Sequence, residues 1–411
     1  MALVVQKFGG SSLATADKVL NAARRAVAEF EAGHQVLMVC SAQGKMTDEL
    51  IERARRIHAE PSRREVDMLL AVGEQMSISL MAIALHSMGY EAISLTGAQA
   101  GIRTDNLFGK AKIRTIDTSR VRRELDKGQI VIVAGFQGAD EEGNITTIGR
   151  GGSDATAIAL AAVLGAARCE IFTDVDGIYT ADPRIVSSAA WIRQIDYDEL
   201  LELASLGLKA MQSRAVELAK RLGVSFRVRS SLNNSEGTLV THVTGEMEFV
   251  DVRAAALDRN QAKITIRHVP DTPGVAATIF SDLGREHVNV DMIVQNVGEG
   301  GMTDVSFTVE QTDLARAIRV TSALAERIGA GAVESDEEVA KVSVVGIGMR
   351  SHSGVAEKMF RALAEAMINI MMISTSEIKI SCVVEAARAE DALRVVHDAF
   401  DLKQGTLSHH G

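Results

Sequence analysis

The chain has 411 residues, 46% hydrophobic and 24% charged, with 34 Gly against 4 Pro and only 4% aromatics. That length exceeds what one hydrophobic core ordinarily supports, and the composition is neither disordered nor fibrous, so two or three folded domains with aliphatic cores are expected. Lys and Arg total 44 against 54 Asp and Glu, and the net charge of −10 repels a phosphate backbone, which argues against nucleic acid as a partner.

In chain order, residues 3–7 are a β-rich run into Gly9-Gly10, and Ala16–Glu31 carries Val19, Leu20, Ala23, Val27 and Phe30 at helical spacing before Gly33. Strand, Gly-rich turn and helix are predicted. Lys7-Phe8-Gly9-Gly10-Ser11-Ser12 puts a cation at the strand end and two residues without side chains in the turn, where backbone N–H groups can approach phosphate oxygens. It is not a P-loop, because Lys precedes the glycines. An ordinary strand-to-helix turn with a solvated lysine explains the hexapeptide equally well.

Short apolar runs follow at Gln35–Cys40, 91–95, 129–134, Arg168–Thr173 and 224–228, most of them separated by helical patterns. Strands alternating with helices predict a mainly parallel sheet covered on both faces. Glu74 lies between Gly73 and Gln75 in an otherwise apolar helix. An unpaired carboxylate is costly there, so it reads either as a ligand for a cation or as a solvated helix edge. Residues 140–148 break the rhythm, and Glu142-Gly143-Asn144 predicts a hairpin.

Gly149-Arg150-Gly151-Gly152-Ser153-Asp154 then opens the helical run 155–164, a second helix N-terminus rich in donors. Arg150 offers a planar fork suited to carboxylate or phosphate, while Asp154 alone could be no more than a cap. The two Gly-rich openings stand about 140 residues apart, as expected of separate loops that meet at the C-terminal edge of one sheet. Thr173-Asp174-Val175-Asp176-Gly177-Ile178-Tyr179-Thr180-Ala181-Asp182-Pro183-Arg184 holds more functional groups than a change of direction requires. A calcium loop fails on the Gly offset and the missing closing acid.

Near Glu246 the character changes, and the tail contains an internal repeat. Ala262-Lys263-Ile264-Thr265-Ile266 returns as Ala340-Lys341-Val342-Ser343-Val344, and Gly354 and Asn369 each stand 80 positions after Gly274 and Asn289. Each copy reads as a split βαββαβ unit. Cys40, Cys169 and Cys382 show no metal, redox or disulfide spacing and are expected to be buried thiols. No apolar run approaches the roughly 20 residues that span a bilayer, so a cytoplasmic protein without a membrane partner is expected.

Residues 7–12, 149–154 and 173–184 together resemble the three signature segments of the aspartate kinase branch of the amino-acid kinase family, and the repeats resemble its paired ACT domains. The likeness spans nearly the whole chain; Ser11 and Ala155 stand where the family more often has Thr. It implies an α/β fold: an open, eight-stranded α/β/α sandwich with a mainly parallel sheet, plus two ferredoxin-like βαββαβ ACT domains. The implied boundaries are residues 1–245 for catalysis, 246–261 for a linker, 262–335 and 336–411 for the two ACT domains.

The implied reaction moves the ATP γ-phosphoryl group to the β-carboxylate of L-aspartate, giving 4-phospho-L-aspartate. Lysine, threonine or both would act as feedback effectors of the pathway to lysine, threonine and methionine. Lys7 and Asp154 would be catalytic. ATP, entering with Mg²⁺, would meet Lys7, Phe8, Gly9, Gly10, Ser11, Thr173, Asp174, Tyr179, Asp182, Pro183, Arg184 and Lys209. Ser41, Thr47, Glu74, Arg150 and Ser153 would hold aspartate. The effector would meet Asp271, Gly274, Val275, Ala276, Asn289, Asp291 and Gln295 in the first repeat, and Val355, Ala356, Asn369, Ile370, Ser376 and Glu377 in the second. A homo-oligomer, or assembly through ACT pairing, is implied. An N-acetylglutamate or glutamate kinase is the rival within the class, and a catalytically dead amino-acid sensor the rival outside it.

Overall fold

The computed structural model describes residues 1–149, 151–208, 211–243, 251–296, 298, 300–347, 349 and 354–403. The chain divides into two compact units, Met1–Ile178 with Trp191–Thr244, and Tyr179–Ala190 with Gly245–Gly411.

The first unit begins β1 (Leu3–Phe8), α1 (Ala16–Glu31), β2 (Gln35–Cys40), α2 (Met46–Ile57), α3 (Arg63–Ser87) and β3 (Ala92–Leu95). It continues through β4 (Ile102–Thr104), β5 (Ile113–Ile116), α4 (Ser119–Asp126), β6 (Ile130–Ala134), β7 (Gln137–Ala139), β8 (Ile145–Thr147), α5 (Gly152–Leu164) and β9 (Arg168–Thr173). After the short β10 (Ile178–Tyr179) come β11 (Trp191–Ile192), β12 (Gln194–Ile195), α6 (Tyr197–Ser205), α7 (Ser213–Leu222), β13 (Phe226–Ser230) and β14 (Thr238–Val240).

Eight strands form the main sheet in the order β12-β14-β13-β9-β1-β2-β6-β3. Its pairs are parallel except β13 with β14. Val36, Met38, Cys40, Ile130, Ile132 and Ala134 share one core with α1 and α3. The alternate residues Leu37, Val39, Val131 and Val133 are also fully buried, on the face where α5 lies against β1, β2 and β9. A strand's side chains alternate with period two, so both faces need cover, and the nearly continuous apolar runs of the sequence follow from that. Phe8 and Phe172 stack at 4.7 Å between neighbouring strands β1 and β9, each burial worth about 1.5–3 kcal/mol.

α3 has 25 residues and contains an 18-residue window with a mean hydropathy of 1.7, enough by length and composition to cross a membrane. That corrects the expectation that no run reaches such a length. Leu70, Ile78, Met81 and Leu85 are buried in the first unit, and the same helix buries Asp67 and Glu74; this is a core helix. The expected hairpin is β7 with β8. It belongs to a separate four-stranded sheet, β5-β4-β7-β8, which the sequence did not reveal.

The second unit holds β15 (Asp251–Pro270), α8 (Val275–Arg285), β16 (Val290–Gln295), β17 (Met302–Val309), α9 (Leu314–Ile328), β18 (Val333–Ile347), α10 (Gly354–Glu365), β19 (Met372–Thr375), β20 (Lys379–Glu385) and α11 (Ala389–Ala399). One six-stranded sheet runs β16-β17-β15-β18-β20-β19. Both long strands serve both repeats: Val252 to Asp258 lie opposite Gly346 to Lys341, and Lys263 to Ile266 lie opposite Asp336 to Val333. The fourth strand of the second repeat therefore precedes the first repeat in the chain. Where the sequence suggested a linker, described residues 251–261 are strand. After α11 the described residues make only an isolated bridge, Lys403 with Ala189. All three cysteines are buried; burial pushes Cys40 and Cys382 up to about 12 and Cys169 higher still, so they are inert thiols.

Candidate active site

Three loops of the first unit build the site: two leave the C-terminal ends of the parallel strands β1 and β2, the edge at which open α/β sheets bind ligands, and the third follows β8 of the four-stranded sheet. β1 delivers Lys7, which is 7% exposed. Gly9 follows, its N–H donating to Phe172 O on β9 at 3.3 Å. A Cβ on Gly10 would meet Ala42 O at 2.7 Å, so this turn tolerates no side chain where the β2 loop crosses it. Ser41 N donates to Phe8 O at 3.1 Å and Gly44 N to Gly10 O at 3.0 Å, which ties the loop bearing Ser41 to the Gly-rich turn; that loop leads into α2, whose first turn carries Thr47.

The third loop follows β8 and opens α5. Gly151 caps α5 in the left-handed region, and Ser153 and Asp154 lie buried in the first turn. Lys7 Nζ and Asp154 Oδ1 are 2.5 Å apart. The two groups form an ion pair that is almost wholly excluded from solvent. A buried cation beside a helix N-terminus suits an anion that gains charge during reaction.

Glu74 on α3 is 2% exposed. Its Oε1 accepts from Ala42 N at 3.0 Å, while Oε2 has no protein partner among the described residues. Burial raises its carboxyl to about 7, against the opposing Ala42 N–H. A carboxyl whose folded value lies above its unfolded one contributes stability that is complete below about pH 4.5 and lost as pH rises through about 7. Glu74→Gln should therefore gain stability over the parent from pH 5 to pH 8, by up to about 3 kcal/mol, without ligand. Thermal melts across that range check it; parallel curves would show that Glu74 titrates normally.

The run from Thr173 to Arg184 is divided, with the boundary between the two units after Ile178. In the first unit Asp174 is exposed, Thr173 Oγ1 accepts from Val175 N at 3.1 Å, and Asp176 accepts from Asn233 Nδ2 at 2.6 Å. In the second unit Tyr179 and Pro183 flank Asp182, which takes the Arg184 guanidinium at 2.6 Å. Thr180 anchors that stretch: its Oγ1 donates to Leu402 O at 2.9 Å, and Ala255 N donates to its carbonyl at 2.7 Å. Ala181, Val186 and Ala189 join the core of the second repeat. Arg150 and Lys209 lie outside the described residues.

A cavity of about 450 Å³ in the first repeat is lined by Asp271, Gly274, Val275, Ala276 and Gln295, five of the seven residues expected there. Gly274 caps α8 with φ +97°. Asn289 and Asp291 do not line it. Asp291 lies 2.5 Å from Lys341 Nζ; burial would raise its carboxyl, but that ammonium holds it below the usual range. In the second repeat the turn 351–353 lies outside the described residues. Val355, Ala356 and Ile370 pack into the core, Asn369 is exposed, and Ser376 and Glu377 sit between β19 and β20.

Sequence reasoning missed Asp67, which accepts from Thr147 and Gly109, and Arg214, which donates to Ile148 O and Ala111 O. It also missed Ser231, whose Oγ accepts from Ser12 Oγ at 2.8 Å. A spacing of seven from Glu74 could have flagged Asp67, since helix positions i and i+7 share a face. No comparable signal marks Arg214 or Ser231.

The amino acid kinase family model matches residues 2–230, and the ACT domain model matches 267–323 and 342–400. The chain is 48% identical over 403 residues to aspartate kinase Ask_LysC of Stutzerimonas stutzeri, covering 98% of each. It is also 48% identical over 406 residues to an aspartokinase of Helicobacter pylori (strain ATCC 700392 / 26695), covering 98% of this chain and 100% of that relative. Among solved structures it resembles E. coli aspartokinase III in complex with aspartate and ADP in the R-state, at 28% identity and a TM-score of 0.77 over 97% of this chain and 99% of that one. The T-state of that E. coli protein, with lysine and aspartate, gives a TM-score of 0.78 over the same shares at 28% identity.

Proposed function

The chain belongs to the amino acid kinase family, in its aspartate kinase branch, and from that premise we propose that it moves the γ-phosphoryl group of ATP to the β-carboxylate of L-aspartate, giving 4-phospho-L-aspartate. The observation that carries the reading is the buried Lys7–Asp154 pair at the Gly-rich edge of the sheet. Phosphoryl transfer needs positioning and charge neutralisation more than covalent help. Lys7 offsets the charge that grows between phosphate and carboxylate, and Asp154 orients it. Gly10 and Ser11 offer backbone donors to the phosphates, on a turn that Phe8 and Gly9 fix to the sheet. Thr173, Asp174, Tyr179, Asp182, Pro183, Arg184 and Lys209 hold the rest of the nucleotide. Mg²⁺ arrives with ATP, held mainly by phosphates and water.

L-Aspartate brings an ammonium and two carboxylates. Arg150 takes the α-carboxylate and Glu74 the ammonium, with Ser41, Thr47 and Ser153 as hydrogen-bond partners. The unpartnered Glu74 Oε2 supports this division. Arg150→Ala should raise KM for aspartate tenfold or more and leave KM for ATP within about twofold, because only the amino acid loses a charged partner. Equal losses for both substrates would move Arg150 to the phosphates.

In the second unit lysine, threonine or both bind at the Gly274 cavity as feedback effectors of the pathway to lysine, threonine and methionine. The lysine bound with aspartate in the E. coli aspartokinase III T-state complex supports that class of effector. A cytoplasmic, homo-oligomeric enzyme, assembled through its ACT repeats, fits this role. The test of the reaction is ADP release with L-aspartate, L-glutamate or N-acetyl-L-glutamate, with hydroxylamine added to trap the acyl phosphate as a hydroxamate. Aspartyl hydroxamate formed in step with ADP supports the proposal. Turnover with glutamate or its N-acetyl form instead, or with none of the three, overturns it.

A further inference from the structure

We propose that Asp67 is a positioning residue for the amino-acid substrate, acting through the loop that follows β8. Asp67 is fully buried, and both of its oxygens are engaged by the first unit. Oδ2 accepts from Thr147 N at 2.7 Å and Gly109 N at 2.9 Å, and Oδ1 accepts from Thr147 Oγ1 at 2.7 Å. Thr147 ends β8, so the carboxylate holds the residue from which the Gly149 to Ser153 loop departs.

Three further contacts make the loop a braced span. Arg214 on α7 donates to Ile148 O and, at 2.7 Å, to Ala111 O. Ile148 N donates to Phe136 O at 2.8 Å. Gly149 (φ +86°) and Gly151 (φ +71°) then turn the chain in the left-handed region. There is no slack at either: a Cβ on Gly149 would stand 3.0 Å from Gly109 O, and one on Gly151 would stand 2.4 Å from Gln212 Cβ. Asp67 holds Thr147, where the loop begins, and Gly109, against which the loop packs. The same helix carries Glu74 seven residues later, two turns along and on the same face. One rigid helix thus spaces the loop bearing Ser41, through Ala42, and the loop leading to Ser153, through Thr147. Misplacing a substrate-binding group by about 1 Å can cost a hundredfold in rate, so such a brace acts on the reaction without touching substrate.

This inference rests on the reading that the Gly149 to Ser153 loop receives the amino acid. Asp67→Ala should raise KM for aspartate about tenfold and leave KM for ATP within about twofold. Asp67→Asn, whose amide oxygen can accept both N–H groups while its NH₂ donates to Thr147 Oγ1, should stay within about threefold of the parent. In an Arg150→Ala background Asp67→Ala should raise KM for aspartate no further, because it acts through the loop already disabled. Should Asp67→Ala not fold, Thr147→Val removes one of the three donors at conserved shape and should raise KM for aspartate about threefold.

A merely structural role would lower Tm and leave both KM values alone, or raise both together; either result overturns the proposal, as do independent, multiplying effects in the double variant. The two readings fail separately. A normal aspartate KM in Arg150→Ala refutes the assignment of the loop, whereas a raised one there beside a normal one in Asp67→Ala refutes only the positioning role.

Discussion

Replacing Lys7 by Ala is expected to lower kcat a hundredfold or more while KM for ATP moves little. The ammonium is a fixed cation, 7% exposed, 2.5 Å from Asp154 and next to a turn that admits no side chain at Gly10. Removing one preorganised charge partner from such a site costs about 2.7–4 kcal/mol of transition-state stabilisation, a factor of 10² to 10³. The substitution also leaves the Asp154 carboxylate buried without its counter-ion, a loss of about 3–5 kcal/mol in stability. Rate and stability must therefore be separated. The double variant Lys7→Ala/Asp154→Ala removes the orphaned charge, so its Tm should recover toward the parent while its kcat stays low. A folded Lys7→Ala protein with near-normal kcat would take Lys7 out of the reaction.

The parallel sheet was legible because a strand buried on both faces must be largely apolar, as 36–40 and 130–134 are throughout; 168–173 is weaker, its Cys169, Ile171 and Phe172 being interrupted by Arg168 and Glu170. The Gly-rich turns were legible for a similar reason, since backbone cannot approach backbone as closely as Gly10 approaches Ala42 if a Cβ intervenes. What stayed hidden depends on partners distant in sequence. Nothing near Asp67 announces that Thr147, 80 residues away, donates to it twice. The four-stranded sheet was invisible because its strands β4, β7 and β8 have three residues each, too few to show a period. The shared long strands were missed for another reason. Repeat detection finds the copy that begins at Ala262 and again at Ala340, but the strand that completes the second copy lies before the first and resembles nothing at the end of the chain.

Gln295→Ala should leave the uninhibited rate within about twofold and shift the end-product inhibition midpoint roughly 5- to 150-fold upward, the range that follows from about 1–3 kcal/mol of coupling. Gln295 ends β16 and lines the cavity beneath the α8 N-terminus together with Asp271. An amino acid placed there can give its α-carboxylate to the N–H groups of the first turn of α8 and its ammonium to Asp271, with the Gln295 amide as a further partner. Asp291 is the less informative residue to change. Its carboxylate pairs with Lys341, which is 2% exposed, and truncation would leave that ammonium, among the described residues, with Asp258 alone at 3.7 Å. A lost response in Asp291→Ala would therefore mix effector binding with damage to the sheet. Gln295 carries no charge, and its removal strands none. An effector inhibits only by binding one arrangement of the protein more tightly than another, so weakening its contacts moves the midpoint without altering the rate measured in its absence. Titrations of parent and Gln295→Ala with lysine and with threonine decide it. Overlaid curves would place the effector elsewhere and leave this cavity without a regulatory role.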